Sequence, residues 1–305
     1  MSTLRVGTRR SALAMAQAKL VADELSAASG RPVELVLITT EGDVSHESLS
    51  SLGGTGVFVS ALRDALVGGS VDIAVHSLKD LPTAVAVGLE LIAVPRRGDP
   101  RDALVARDGH TLASLPQGSQ VGTGSPRRAA QLKSLRPDLS IVDIRGNIDT
   151  RLRLVTEGKL DAVVLAHAGL ARLGRLDAVT EAIDPSIMLP APGQGALADE
   201  ARVGALDLDL QASLRSLDDS ATRAAVTAER AVLSALEAGC SAPVGALAVV
   251  DELGFPEPEL TLEALVAATD GSTVKRLSIT APLADADSAG RQLAARLLGE
   301  GVVVS

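Results

Sequence analysis

The sequence predicts an α/β chain with two units of parallel sheet and a smaller α+β region at its C-terminal end. Three observations predict it. Short apolar runs alternate with amphipathic stretches as far as Ala166, the pattern of parallel strands joined by helices. Two stretches punctuated by proline and glycine, Pro95–Pro100 and Leu189–Gly195, bracket the middle of the chain. After Ser220 the order changes to an alanine-rich helix, three strand-length apolar runs and a last helix.

The elements follow in order. Leu4–Gly7 reads as a strand, and Ser11 caps a helix to about Ala28 that sets Leu13, Leu20, Val21 and Leu25 on one face. Val33–Thr39 is a strand, Phe58–Leu66 a helix, and Val71–Val75 and Leu89–Val94 two more strands. The second unit repeats this grammar. Gln120–Thr123 is a strand, Ser125–Leu135 a helix with Pro126 at its first position, and Ser140–Ile144 a strand. Asp149–Glu157 is a helix and Ala162–Ala166 a buried strand. The helix from Ser220 runs to Gly239, which has the place of a C′ glycine. Val244–Val250, Glu259–Ala267 and Thr273–Thr280 are strands, and Asp287–Leu298 is the final helix. The two breaks imply that the chain returns to its first domain after completing the second. The predicted domains are residues 1–95 with 196–217, residues 100–190, and residues 220–305, with hinges near 96–99 and 190–195.

Composition excludes several classes of function. Of 305 residues, none is Trp or Tyr, two are Phe and one is Cys. A single cysteine excludes an internal disulfide, a CxxC pair and any zinc site with two thiolates. The scarcity of aromatics argues against a base-stacking surface, and a net charge of −9 against a general nucleic-acid binder. No apolar run reaches the roughly 18 residues of a membrane span, and no signal peptide is visible, which points to a cytoplasmic protein. His46, His76, His110 and His167 have no metal-ligand spacing, so no metal is expected, and structural roles suit His76 and His167.

Charge is distributed unevenly. Residues 96–193 hold 14 Lys/Arg against 11 Asp/Glu, whereas residues 194–305 hold 8 against 17. Of 29 basic residues, 24 are Arg. Codon bias would explain this, and so would a set of guanidinium forks that grip carboxylates or phosphates. Position favours the forks. In open α/β sheets ligands bind beyond the carboxyl ends of strands, where helix N-termini offer free N–H groups. At such places stand Gly7-Thr8-Arg9-Arg10-Ser11, His76-Ser77-Leu78-Lys79-Asp80, Gly122-Thr123-Gly124-Ser125-Pro126-Arg127-Arg128, Ile144-Arg145-Gly146-Asn147 with Arg151, and Ala168-Gly169-Leu170-Ala171-Arg172. Neither GxGxxG nor a P-loop is present, so a ligand rich in carboxylates suits these arginines better than a nucleotide does. Asp80 stands alone as an acid in this basic set. It either caps the turn before Pro82 or faces a cationic centre and moves protons. Cys240 lies on a tight loop outside any apolar periodicity. It is either an inert small hydrophobe or a nucleophile or covalent anchor.

Together these segments resemble the porphobilinogen deaminase (hydroxymethylbilane synthase) family. The matching stretches are RVGTRRSALAMAQ, GGTGVFVSALRDAL, DIAVHSLKDLPT, RRGDPRDALV, VGTGSPRRAAQL, IRGNIDTRL, AGLARLG, LPAPGQGAL and EAGCSAPVGA, in the family's order from about residue 4 to 250. The resemblance implies two doubly wound domains like type II periplasmic binding proteins, plus a small α+β domain that presents the cysteine. It implies a transferase that deaminates four porphobilinogen molecules and joins them head to tail, releasing hydroxymethylbilane by hydrolysis. The implied cofactor is dipyrromethane, attached to Cys240 through a thioether, and no nucleotide, metal, nucleic acid or membrane is involved. Asp80 matches the catalytic acid, which stabilises positive charge on an electron-deficient azafulvene. Lys79, Ser125, Arg127, Arg128 and Arg145 match cofactor-binding positions. Arg9, Ser11, Arg145, Arg151 and Arg172 match substrate-binding positions, with Gln17 a weaker match. A monomer is implied as well.

The chain departs from the commoner pattern at Thr55 and Ser60, where many members have lysine, and at Ala238, where a second glycine is frequent. A carboxylate sensor on the same scaffold and a thiol hydrolase are the rival readings. The sensor has no need of a third domain carrying Cys240, and the hydrolase lacks a recognisable partner histidine.

Overall fold

The computed structural model describes residues 3–39, 56–84, 86–238, 242–251 and 258–301, with the side chains of 56–58 left aside. It divides into two compact units, Met1–Gly98 with Ala196–Arg223, and Asp99–Gly195 with Ala224–Ser305. In chain order the first unit contributes β1 (Leu4–Arg9), α1 (Ala12–Ser29), β2 (Val33–Ile38), α2 (Gly56–Val67), β3 (Ile73–Ser77) and β4 (Leu89–Ala93). The second unit then supplies β5 (Asp102–Ala106), β6 (Gln120–Gly122), α3 (Pro126–Leu135), β7 (Ser140–Val142), α4 (Ile148–Thr156), β8 (Ala162–Ala166), α5 (His167–Arg172) and β9 (Glu181–Ile183). The chain returns through β10 (Leu197–Arg202) and α6 (Leu208–Ser216) to α7 (Ser220–Ala235). It ends with β11 (Val244–Asp251), β12 (Glu259–Ala267), β13 (Val274–Pro282) and α8 (Ala286–Gly299).

Each α/β unit has a five-stranded sheet, β2-β1-β3-β10-β4 in the first and β7-β6-β8-β5-β9 in the second. The α/β class agrees with the sequence, but the sheets are mixed rather than parallel throughout. β10 runs antiparallel to β3 and β4, and β5 antiparallel to β8 and β9. Neither strand was predicted. β5 is a five-residue run close behind the Pro/Gly stretch and opens on an acid, and β10 carries Asp199, Glu200 and Arg202 within its six residues. Strand β9 and helix α5 were also absent from the prediction, because each is too short to show a period, and so was the nine-residue helix α6.

The local reasons for the helices are visible at their caps. Ser11, Ser125 and Asn147 each accept a hydrogen bond from a backbone N–H in the first turn of α1, α3 and α4. Helix α7 ends at Ala235, earlier than predicted. Glu237, at φ 51°, takes the left-handed position, and Ala238 N donates to the Leu233 carbonyl in a Schellman closure. Gly239, the predicted C′ residue, lies outside the described residues.

In the second unit the antiparallel meander β11-β12-β13 packs against α7 and α8 through Val232, Leu260, Leu262, Leu293 and Leu297. It also packs onto α3 and the chain before Pro190, where Leu247 and Leu265 meet Ala130 and Leu189. Arg276 reinforces this seam by donating to the carbonyls of Ser186 (2.7 Å) and Pro185 (2.8 Å).

The core of the first unit contains one acid without a partner. Asp199 on β10 is fully buried beside Val75 and Ala93, and neither carboxylate oxygen has a hydrogen-bond partner among the described residues. Burial, with Glu24 and Asp218 nearby, raises its pKa well above 3.8, so the folded unit retains a proton that the unfolded chain releases. Stability is then lost as pH rises above about 3.8 toward the folded-state value. Asp199→Val is expected to raise Tm, with a gain that widens from about pH 4 to pH 7. Parallel melting curves for the two proteins check this, and a gain independent of pH would refute it.

Candidate active site

Parallel strands end at one edge of each sheet, and that edge carries the predicted site residues. The antiparallel strand adds a second feature, since it begins where its parallel neighbours end. Asp102, the first residue of β5, lies opposite Ala166, the last of β8. Likewise Leu197 at the start of β10 lies opposite Ser77 at the end of β3.

In the first unit, Arg9 ends β1 and Ser11 follows it as the cap of α1, its Oγ accepting from Ala14 N at 3.3 Å. Gln17, buried on α1, exchanges hydrogen bonds with the Ser77 hydroxyl at 2.8 and 3.1 Å, which pins α1 to the end of β3. Beyond Ser77 the chain makes one 3₁₀ turn, Leu78–Asp80, anchored by buried Leu78, whose N–H donates to the Ala196 carbonyl at 3.1 Å. Lys79 and Asp80 are half-buried on this turn. Beneath it, His76 Nε2 stands 3.2 Å from Glu200 Oε2, and Arg63 on α2 closes on the same carboxylate with bonds of 3.0 and 2.8 Å. These partners hold the Glu200 carboxyl at a pKa of about 2 despite its burial.

In the second unit, Ser125 caps α3 and sends Arg127 and Arg128 inward, where they are 3% and 6% exposed. Both meet Asp102, which is fully buried. Arg127 Nη1 lies 2.8 Å from Oδ2, and Arg128 Nη2 lies 2.8 Å from Oδ1. Arg127 Nη1 also donates to the Leu189 carbonyl at 2.6 Å, and Arg128 Nη1 to the Val164 carbonyl at 3.0 Å. Arg127 Nε is buried with no hydrogen-bond partner among the described residues. The two cations hold the Asp102 carboxyl far below the usual carboxylate range, while burial lowers the pKa of Arg127.

Arg145 follows β7 and is exposed, with Asp143 Oδ2 at 3.2 Å. Arg151 on α4 donates from Nε to the Gly146 carbonyl at 2.9 Å. Burial, then the charges of Arg128 and Arg145, lower the pKa of Arg151, while Asp143 acts in the opposite direction. Gly146 is required at the turn that brings them together. Its φ is 104°, and an added Cβ would stand 2.9 Å from Thr150 Cγ2. Arg172 on α5 is partly buried and donates to the Gly195 carbonyl at 2.6 Å.

Ser125, Arg127, Arg128, Arg145 and Arg151 therefore gather at one sheet edge, and Arg9, Ser11, Gln17, Lys79 and Asp80 at the corresponding edge of the other unit. Cys240 and Thr55 lie outside the described residues. Sequence reasoning missed Asp102 and Gln194, although a charged residue opening the apolar run Asp102–Ala106 was a usable signal. Among the described residues no group of three or more His, Cys, Asp or Glu side chains could hold a metal ion, and no helix is long and apolar enough to cross a membrane.

Comparison with known proteins agrees on one family. A family model described as "Porphobilinogen deaminase, dipyromethane cofactor binding domain" matches residues 4–209, and "Porphobilinogen deaminase, C-terminal domain" matches residues 223–299. Porphobilinogen deaminase 1 of Streptomyces coelicolor is 56% identical over 306 residues, covering 98% of this chain and 95% of that protein. Porphobilinogen deaminase of Thermobifida fusca is 56% identical over 304 residues, covering 97% of this chain and 93% of the relative. Among solved structures, a periplasmic substrate-binding protein of an ABC transporter from Coxiella burnetii is 14% identical and aligns with 70% of this chain and 91% of its own, at a TM-score of 0.45.

The Arg63–Glu200–His76 group under the Asp80 turn gives a measurable pH dependence. Its folded-state pKa of about 2 lies below the ordinary 4.5, so its stabilisation is present above pH 4.5 and is lost as pH falls toward 2. Glu200→Gln leaves buried His76 and half-buried Arg63 without their shared anion and is expected to cost about 3 kcal/mol at neutral pH. The variant should also lose less stability than the parent between about pH 4.5 and pH 2. Urea unfolding across that range measures both effects.

Proposed function

The chain belongs to the porphobilinogen deaminase family, and on that premise we propose that Asp80 is its catalytic acid and Cys240 the anchor of its cofactor. The activity is that of a transferase in tetrapyrrole biosynthesis. Four porphobilinogen molecules are deaminated and joined head to tail on a dipyrromethane primer, and hydroxymethylbilane is released.

The residues present fit such a group on physical grounds alone. Each pyrrole carries an acetate and a propionate. Arg127 and Arg128 share one internal carboxylate, which leaves a net positive charge, and the Arg127 Nε–H has no acceptor within the described protein. Arg151 adds a further positive charge, and Arg145, exposed and beside Asp143, stands at the rim. A buried cation without a matching anion is costly unless a ligand supplies one. This surplus of buried guanidinium is the observation that carries the proposal. Lys79, Ser125, Arg127, Arg128 and Arg145 would hold the cofactor's carboxylates, and Arg9, Ser11, Arg145, Arg151 and Arg172 those of incoming porphobilinogen and the growing chain.

When bound, dipyrromethane would supply a free pyrrole α-carbon as the nucleophile for the first ring, and each ring added would in turn present the next one. The protein's own part is positioning and charge. Asp80 sits on a rigid turn, fixed by Leu78 and by the strand pair β3–β10, so its carboxylate stays in place while positive charge develops beside it. A preorganised anion of this kind stabilises the transition state without reorganising. It can also accept a pyrrole N–H and take or return a proton.

We further assign three structural domains, residues 1–95 with 196–217, 100–190 and 220–305, hinged near 96–99 and 190–195, in a cytoplasmic monomer. The three separate sheets support the division, and α7 and β11 bring the chain to either side of Cys240.

Two experiments test these assignments. Intact mass under denaturing conditions should show a covalent excess of two pyrrole units, absent from Cys240→Ala. An unmodified chain that is folded and active would refute the anchor. Asp80→Ala should retain the mass excess and lower kcat by about 10²-fold or more. Unchanged turnover would remove Asp80 from the mechanism.

A further inference from the structure

Asp102 matches none of the residues assigned to ligand or catalysis above, yet it lies at the centre of the cationic edge. Both of its oxygens are committed to guanidinium groups. Arg127 Nη1 stands 2.8 Å from Oδ2, and Oδ1 takes Arg128 Nη2 at 2.8 Å and Nε at 3.0 Å. Gln194 completes the cage. Its Nε2 donates to Asp102 Oδ1 at 2.8 Å and to the Pro100 carbonyl at 2.8 Å, while its Oε1 accepts from Arg128 Nη2 at 3.4 Å. The Asp102 carboxylate is fully buried and Gln194 is 1% exposed, so neither can touch a ligand from solvent.

We propose that Asp102 is a positioning residue, the single internal counter-ion that orients Arg127 and Arg128 toward the ligand's carboxylates and fixes how much positive charge the edge presents. Gln194 shares the task. With one anion for two cations the cluster keeps one positive charge. A second internal acid would cancel that charge, whereas removal of Asp102 would leave two repelling cations free to swing apart. The same carboxylate joins the arginines to both places where the chain crosses the unit's boundary. Asp102 lies just after the entry at Asp99, and Gln194 just before the exit at Gly195. Arg127 and Gln131 hold Leu189, upstream of that exit, by three hydrogen bonds of 2.6, 2.8 and 3.1 Å. One carboxylate thus contacts both arginines and, through Gln194, the segment before the exit.

The proposal rests on the assignment of Arg127 and Arg128 to the cofactor, so the test separates the two. Four proteins are compared with the parent: Asp102→Asn, Arg128→Gln, Gln194→Leu, and the charge-balanced double variant Asp102→Asn with Arg127→Gln. For each, the fraction of chains carrying the covalent two-pyrrole mass, KM, kcat and Tm are measured. Arg128→Gln should lose covalent loading. If it loads fully, the assignment of the arginines fails, and this proposal with it. Asp102→Asn should lower loading and kcat/KM by about 10²-fold, the scale of a misplaced binding group, with KM raised in the fraction that does load. Gln194→Leu should do the same to a smaller degree. The double variant, with the net charge restored, should recover Tm but not loading, because the orienting anion and one of the cofactor's arginines are both absent. Full loading and an unchanged KM in Asp102→Asn or in the double variant, while Arg128→Gln is impaired, would overturn the positioning role alone. A double variant that melts no higher than Asp102→Asn would overturn it too, since Asp102 would then serve packing rather than charge.

Discussion

A guanidinium removed from water must be met by an anion or by hydrogen-bond acceptors, and two guanidiniums sharing one anion leave a net positive charge. The second unit is arranged around that constraint. Asp102 is the anion, Arg127 and Arg128 are the cations, and helix α3 starts at Ser125 so that its first turn delivers both arginines to the same carboxylate. Arg151 adds positive charge, and the charges of Arg128 and Arg145 lower its pKa. Such a cluster is stable in a folded protein because the backbone carbonyls of Leu189 and Val164 take up part of the donor capacity.

The mixed sheets explain how that anion reaches its place. Parallel strands bring only their last residues to the ligand-binding edge, so a buried acid there would have to come from a loop. An antiparallel strand brings its first residue to that edge. β5 begins with Asp102 opposite the end of β8, and β10 begins opposite the end of β3, next to the Asp80 turn. Both antiparallel strands directly follow a crossing between the two units. The topology that allows the chain to leave one unit and return to it is thus the topology that places each crossing beside a candidate site.

Much of this was legible in the sequence, and the exceptions have physical causes. The caps Ser11 and Ser125, the strand-end arginines, the two breaks in the chain and the three C-terminal strands follow from local chemistry, which a single sequence records. β10 was invisible because its two faces, both buried, carry Asp199, unpaired among the described residues, on one side and Glu200, paired with Arg63 from α2, on the other. Those charges are tolerable only through tertiary burial or pairing, which no local pattern encodes. The end of α7 was misplaced for a related reason. Glu237 adopts a left-handed conformation that residue statistics reserve for glycine, and the Gly239 nearby was the more obvious stop. The arginines at the strand ends were recognisable as a set, whereas Asp102, which two of them meet, was given no role because its partners Arg127 and Arg128 are distant in sequence.

The abundance of arginine can now be weighed at particular positions. Codon bias predicts arginine wherever a cation is tolerated, and at exposed places such as Arg291 beside Asp287 a lysine would serve as well. It would not serve at Arg128. That side chain donates in three directions, from Nε and Nη2 to Asp102, from Nη1 to a strand carbonyl, and from Nη2 to Gln194. A planar fork reaches all three without further ordering, whereas an ammonium group is a point charge that is poorly matched to a flat, bidentate carboxylate. A protein without Trp or Tyr has few faces on which a pyrrole can stack. Orientation must then come from the carboxylate side chains of each ring, and a rigid fork, held from behind by a buried acid, fixes both the position and the direction of such a group.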